Sequence, residues 1–197
     1  MKKAFLAAVV FAVPAFASNW TAETGHAKAY FSAKHMMLST VTGEAGTVAA
    51  TLNLDDKDVT KSKVDATVDL NDLKSGVEKR DQHLKSPDFF DVAKFPKMTF
   101  KSTKVEKAGE KLKVTGDLTI KDKTKPVTLD VEVLPEVMNP FSKQATRGFV
   151  ATGKINREDW GLTWNMPLAN GGVLVSKDID LRIETEFVKA EPAAAKK

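Results

Sequence analysis

Three histidines and no cysteine bound the chemistry open to this 197-residue chain. Without thiols there is no cysteine nucleophile, no thiolate metal site and no disulfide framework. His26 and His35 are nine residues apart on one extended stretch. An odd spacing on a strand puts side chains on opposite faces, so the two do not share a metal; only His83, brought in through the fold, would join either of them. Arg80-Asp81-Gln82-His83, with Ser86 three residues on, holds the residue types of acid–base and nucleophilic chemistry. On a helix, however, Asp81 and His83 lie about 200° apart and do not pair. His83 and Ser86 share a face, but a base without an orienting acid activates a hydroxyl poorly. Glycine-rich phosphate loops, His-Glu-x-x-His and Gly-x-Ser-x-Gly elbows are missing from the sequence. The cluster reads as polar ties of a helix to its surroundings. The chain is therefore expected to bind rather than catalyse, with no metal and no cofactor.

Aromatic residues are the second candidate. Trp160 and Trp164 fall in Glu158-Asp-Trp-Gly-Leu-Thr-Trp-Asn165, outside any clean strand pattern. Indoles in such a place line a pocket mouth or plug a barrel end, and both readings stay open. Phe89, Phe90, Phe95 and Phe100 read chiefly as core.

The elements that must position these residues are strands. Ala29, Phe31, Ala33 and His35 alternate with Lys28, Tyr30, Ser32 and Lys34, over Ala27 to Leu38. Val48, Ala50, Leu52 and Leu54 alternate over Thr47 to Leu54, and Val64, Ala66, Val68 and Leu70 over Ser62 to Leu70. The same period returns at Met98 and Phe100, at Leu112 to Ile120, at Val127 to Val133, around Phe149 to Ile155 and at Ile179 to Phe187. Period two with one apolar face predicts half-buried strands. Polar or glycine-bearing connections such as Asp55-Asp56-Lys57-Asp58, Ala108-Gly109-Glu110 and Lys121-Asp122-Lys123 separate them. The expected fold is all-β, an eight-stranded antiparallel lipocalin-like barrel, because closure buries the inner faces and removes both sheet edges. A two-sheet sandwich is the alternative. Between strands, Asp72 to Phe90 breaks the period. There Ser75 and Glu78 suggest a capping box, Val77 and Leu84 share a face, and Pro87 stops a short helix.

Residues 1–17 read as a signal peptide: Lys2 and Lys3, the apolar run Ala4 to Val13, then Ala15-Phe16-Ala17 before Ser18. Residues 18–190 form one expected domain, and 191–197 a disordered tail. This places the protein in the periplasm, without a transmembrane anchor. The formal charge of +4 falls to +2 once Lys2 and Lys3 are removed. Charges of both signs are interspersed, which argues against nucleic-acid binding.

An eight-stranded barrel either fills with side chains or holds one small ligand. Ala29, Ala33, Ala50, Ala66, Gly116 and Ala151 on the inner faces are small, which favours a cavity. With these features the chain resembles the YceI-like family of bacterial periplasmic, lipocalin-like polyisoprenoid-binding proteins. The resemblance runs from His26 to Phe187. It is carried by Phe31-Ser-Ala-Lys-His35 with Thr42-Gly43, Lys79-Arg-Asp-Gln-His-Leu-Lys-Ser-Pro-Asp-Phe-Phe-Asp91, Phe95-Pro-Lys-Met-Thr-Phe-Lys-Ser102, Thr115-Gly-Asp-Leu-Thr-Ile120 with Lys125-Pro-Val127, and Ile155-Asn-Arg-Glu-Asp-Trp-Gly161. Two positions depart from the family pattern. Glu23-Thr-Gly-His26 lacks the usual Asp before the first His, and Lys121-Asp122 stands where a Gly is usual.

The resemblance implies a long apolar pocket for a polyisoprenoid or other long-chain lipid, and no established catalytic activity. The candidate ligand-binding residues are Phe31, Ala33, His35, Met98, Phe100, Phe149, Trp160 and Trp164, with His35, Arg80 and Arg157 available to a polar head. A homodimer is possible on this reading. The rivals are an interaction module with a filled barrel and a lipid-modifying enzyme.

Overall fold

The structure, a computed structural model, describes residues 17–169 and 171–191. Residues 1–16 of the expected signal peptide and 192–197 of the expected tail lie outside the described residues. Eight antiparallel strands close into one barrel in sequence order: β1 (Ala17–His35), β2 (Ser39–Asp55), β3 (Lys63–Asp69), β4 (Lys97–Ala108), β5 (Lys111–Ile120), β6 (Lys123–Met138), β7 (Ala145–Asn156) and β8 (Val175–Lys189). β1 pairs with β8 to complete the ring, so no strand edge is left open. The barrel, not the sandwich, is the architecture. One helix, α1 (Glu78–Lys85), lies in the β3–β4 connection.

β1 and β2 are longer than the alternation predicts. The ladder between β1 and β2 is interrupted between Thr21 and Lys28, where the chain bulges through Glu23-Thr24-Gly25-His26. Trp20 and Ala22 are buried before the bulge, and Ala27 and Ala29 after it. The step from 22 to 27 is odd, so the three extra residues of β1 switch which parity points inward. A period-two search started at Ala27 therefore stops there. At the other end, β1 stops at His35, and Met36-Met37-Leu38 form the turn into β2. Bulges in β4 beside Thr103 and in β6 at Leu134-Pro135 switch parity in the same way.

Two glycines let aromatic rings lie flat on the wall. Gly43 pairs with Phe31, and a Cβ there would collide with the Phe31 ring and the Lys74 carbonyl. Gly116 occupies the same relation to Phe100 and the Lys101 carbonyl. Rings covering backbone without side chains protect the ladder and keep the aromatic mass at the wall rather than across the lumen.

Helix α1 differs from its expected cap. Val77 occupies the N-cap position with no side-chain hydrogen bond, and no capping box forms. Ser75 lies two residues before the cap, where its backbone N–H and its hydroxyl both donate to the Asp81 carboxylate. The Ser75 hydroxyl also accepts from Nε of Arg80 at 2.7 Å, so it serves these two helix side chains and not the helix N-terminus.

The barrel has two unlike ends. The turn at 36–38, the β3–β4 connection, the turn at 121–122 and the β7–β8 connection gather at one end, hereafter the helix end. There Leu70, Leu73 and Val92 form a small buried cluster against Leu84, Phe90 and Met98. Trp20, Leu52, Leu54 and Phe187 are packed together toward the other end.

Candidate ligand-binding cavity

Inward residues of all eight strands line one cavity of about 300 Å³ running along the barrel. That is about twice the ~150 Å³ of an apolar cavity that stays dry and takes up benzene, and it reaches the lower edge of the roughly 300–1,000 Å³ usual for ligand pockets. Leu54, Val59 and Ser62 line it near one end, and Leu84, Phe89, Phe90 and Leu162 near the helix end. Its middle is bounded by Ala50, Ala66, Val114, Leu129 and Ile183. The small inner residues leave the space that bulkier strand residues would fill.

Among the residues predicted from sequence, Phe31, Ala33, Met98, Phe100, Phe149 and Arg157 line this cavity. Phe149 meets Phe187 edge-on at 5.4 Å between ring centres. A second, outer pocket adjoins the cavity at the helix end and shares Phe31, Ala33, Leu84, Phe89 and Val175 with it. His35, Arg80 and Trp164 line this vestibule rather than the inner cavity. Lys34, Lys79 and His83 line it as well, and its lining includes no carboxylate among the described residues.

Trp160 lines neither space. It is 2% exposed, and its indole N–H donates to the Leu118 carbonyl at 3.0 Å. The expectation of ligand contact is corrected for this residue. Asn156 accepts from the Glu158 amide to start a 3₁₀ turn over Arg157–Trp160, and Gly161 ends it in the left-handed conformation. That turn drives Trp160 against β5. Trp164, past the turn, instead packs against the His83 ring at 4.6 Å and the Phe89 ring at 5.4 Å. One indole is a plug and the other a vestibule wall.

His83 has an acid partner that the spacing did not reveal. Asp88 lies 2.9 Å from its Nε2, brought back by the tight turn after α1. The Ser86 hydroxyl, however, donates to the His83 carbonyl and not to the ring. No nucleophile faces this pair, and the pair orients His83 as a wall between Phe89 and Trp164. Arg80 is likewise engaged: Nε donates to the Ser75 hydroxyl and Nη2 to the Ser75 carbonyl, both at 2.7 Å. His26 is exposed and ion-paired with Glu23, so it stands outside the cavity. Gly25 donates its backbone N–H to Glu23, and this, with His26 close by, holds the Glu23 carboxyl below its ordinary range.

Arg157 is the exceptional charge. It is 4% exposed and lines the apolar cavity. Nε donates to the Ser176 carbonyl at 3.0 Å and Nη1 to the Leu162 carbonyl. Nη2 is buried with no partner among the described residues. Burial lowers its pKa, while Glu158 nearby acts in the opposite sense; a guanidinium stays charged regardless.

The floor residues Val59 and Ser62 and the ceiling residue Leu162 were not singled out from sequence, and Leu84 and Phe89 were read as helix face and core rather than as cavity wall. Leu84 carried a signal, being one of the few apolar residues in an otherwise polar helix; the others depend on where connections fold back.

Comparison with known proteins agrees with this architecture. A profile described as YceI-like domain matches residues 20–187. A UPF0312 protein of Staphylococcus aureus strain MSSA476 is 37% identical over 174 residues, covering 88% of this chain and 99% of its own length. Among solved structures, the Campylobacter jejuni YCEI protein superposes with a TM-score of 0.68 at 29% identity, covering 97% of this chain and 100% of that one. A polyisoprenoid binding domain from Saccharophagus degradans shares the fold, with a TM-score of 0.58 at 12% identity over 88% of this chain and 99% of its own.

Proposed function

The chain belongs to the YceI-like domain family, and from that premise we propose that its barrel is a carrier for one long-chain apolar lipid of the polyisoprenoid class. The observation that carries this reading is the continuous apolar cavity bounded by every strand of the barrel. Each methylene moved from water into such a lumen stabilises the complex by about 0.8 kcal/mol, so a long chain supplies ample affinity even after ordering costs. The solved relative that binds polyisoprenoid supports the ligand class. The lysine-flanked apolar N-terminal sequence supports export to the periplasm, with removal after Ala17. Binding rather than catalysis fits the site, since His83 and Ser86 do not converge. No helix among the described residues is long and apolar enough to cross a membrane.

Ala50, at mid-cavity, gives the test. The delipidated full chain is titrated with geranylgeraniol by calorimetry, alongside Ala50→Trp. The expected result is uptake of one alcohol per chain, lost in the variant while its β-rich circular dichroism persists. If the barrel is filled, the wild type takes up nothing, and the added indole costs the ~1–3 kcal/mol typical of overpacking.

A further inference from the structure

A guanidinium in an apolar lumen needs a counter-charge, and Arg157 lacks a dedicated one. Two of its nitrogens are fixed by the Ser176 and Leu162 carbonyls, which are neutral acceptors. Glu158, its chain neighbour, is ion-paired with Lys177 at 3.0 Å. Nη2, buried and unpartnered among the described residues, belongs to a side chain that lines the cavity. The Phe89 ring lies 6.0 Å from the guanidinium carbon and is shared by cavity and vestibule. Arg157 therefore sits just inside the entrance, at the helix end, with the apolar lumen extending away from it toward Leu54 and Val59. The vestibule outside carries Lys34, Lys79 and Arg80 with no carboxylate in its lining among the described residues. Entrance and inner anchor have the same sign, and a cationic approach favours anionic solutes.

Resting on the carrier reading above, we propose that the lipid held in this barrel is an acid: a long chain ending in a single negative charge, its terminal oxygens accepting from Nη2 of Arg157 and its tail running to the far end. One free nitrogen suits a monoanion such as a carboxylate. A dianionic phosphate would need a fuller set of donors than this end supplies. The side-on fork by which arginine grips carboxylates and phosphates alike is unavailable, because Nε and Nη1 are already engaged, so the head meets Nη2 alone. Charge-assisted hydrogen bonds in a dry site are also much stronger than their exposed equivalents.

Oleate and oleyl alcohol, equal in chain and different only at the head, separate the possibilities. Both are titrated into the delipidated full chain, wild type and Arg157→Gln. The wild type is expected to bind oleate at least about tenfold more tightly than the alcohol, a difference of ~1.4 kcal/mol. Arg157→Gln should erase that preference, so that the two lipids bind with equal affinity. Equal affinity for both lipids in the wild type overturns the proposal and leaves the carrier reading intact, whereas binding of neither overturns the carrier reading itself. A preference that survives in Arg157→Gln and disappears in a Lys34→Gln, Lys79→Gln double variant places the head in the vestibule and also overturns it. Because Arg157 ties the β8 carbonyl of Ser176 to the loop carbonyl of Leu162, the Gln variant is backed by a wild-type measurement. The carboxyl carbon of [1-13C]oleate should keep its ionised chemical shift to a lower pH when bound than the ordinary ~4.3 of a glutamate carboxyl in water. A carboxyl that protonates above that ordinary value contradicts the assignment.

Discussion

The two ends of this barrel are closed by different physics. Away from the helix, closure is part of the sheet. Trp20 is 1% exposed, its β2 partner Leu52 is buried, and its indole N–H donates to the Ser18 hydroxyl at 2.8 Å. Arg147 and Lys189 stack over its ring. At the helix end, closure is by connection. α1 contributes no buried residue and is held by hydrogen bonds, from Arg80 to Ser75, from Ser75 to the Asp81 carboxylate and from Lys85 to the Asn71 carbonyl. Apolar burial is hard to undo locally, whereas polar ties exchange with water at small net cost. On the carrier reading proposed above, the difference points entry to the helix end, where the vestibule with His83, Trp164 and its cationic lining adjoins elements held by polar ties.

The largest expected effect is on the sheet-closed end. Trp20→Ala should destabilise the barrel by about 3–5 kcal/mol in denaturant unfolding. Trp164→Ala, which removes a partly exposed vestibule wall, should cost less than half of that and chiefly weaken lipid binding. Equal losses in the two variants would erase the distinction between the ends.

Asp81→Ala sharpens the comparison from the other side. It removes a carboxylate that accepts from both the amide and the hydroxyl of Ser75, and hydrogen bonds to charged groups are worth about 1.5–3 kcal/mol. The expected loss in stability falls in that range. Amide exchange should quicken over residues 75–86 and stay unchanged around Trp20. Exchange that quickens throughout the barrel would mean that α1 is an integral part of the fold.

The residues explain why some of this was readable and some was not. In β2, β3, β5 and β8 the inward residues, from Val48 to Leu54 or Ile179 to Ile183, follow an uninterrupted alternation, and the cavity wall they form was visible in the sequence. Alternation reports only pairing that stays in register. The first third of β1 was hidden because the bulge through Glu23 to His26 exchanges the two faces. The partner of His83 was hidden because Asp88 returns through a turn rather than along a helix face. Trp160 and Trp164 looked equivalent because both lie outside strands; a 3₁₀ turn between Asn156 and Gly161 decides which is buried. Arg157 was visible as a candidate, but its unpartnered nitrogen follows from a β8 carbonyl and a loop carbonyl that meet it only in three dimensions.

The smallest effect belongs to a turn at the helix end. Lys121 and Asp122 join β5 to β6, and Lys121 has φ of 56°. A two-residue hairpin with positive φ at its first position favours glycine. Lys121→Gly should relieve that strain and raise stability by up to ~1 kcal/mol, seen as a small upward shift in Tm. A fall in stability would show that the lysine side chain compensates for its backbone.

The central claim is that the lumen is a lipid site entered from the helix end, and native mass spectrometry of the purified protein, before and after organic extraction, tests it most directly. The account predicts one apolar lipid per chain, released by solvent, reloaded when the lipid is returned, and excluded by Ala50→Trp. A wild-type chain that carries no lipid from its native source and takes none up after extraction would contradict it.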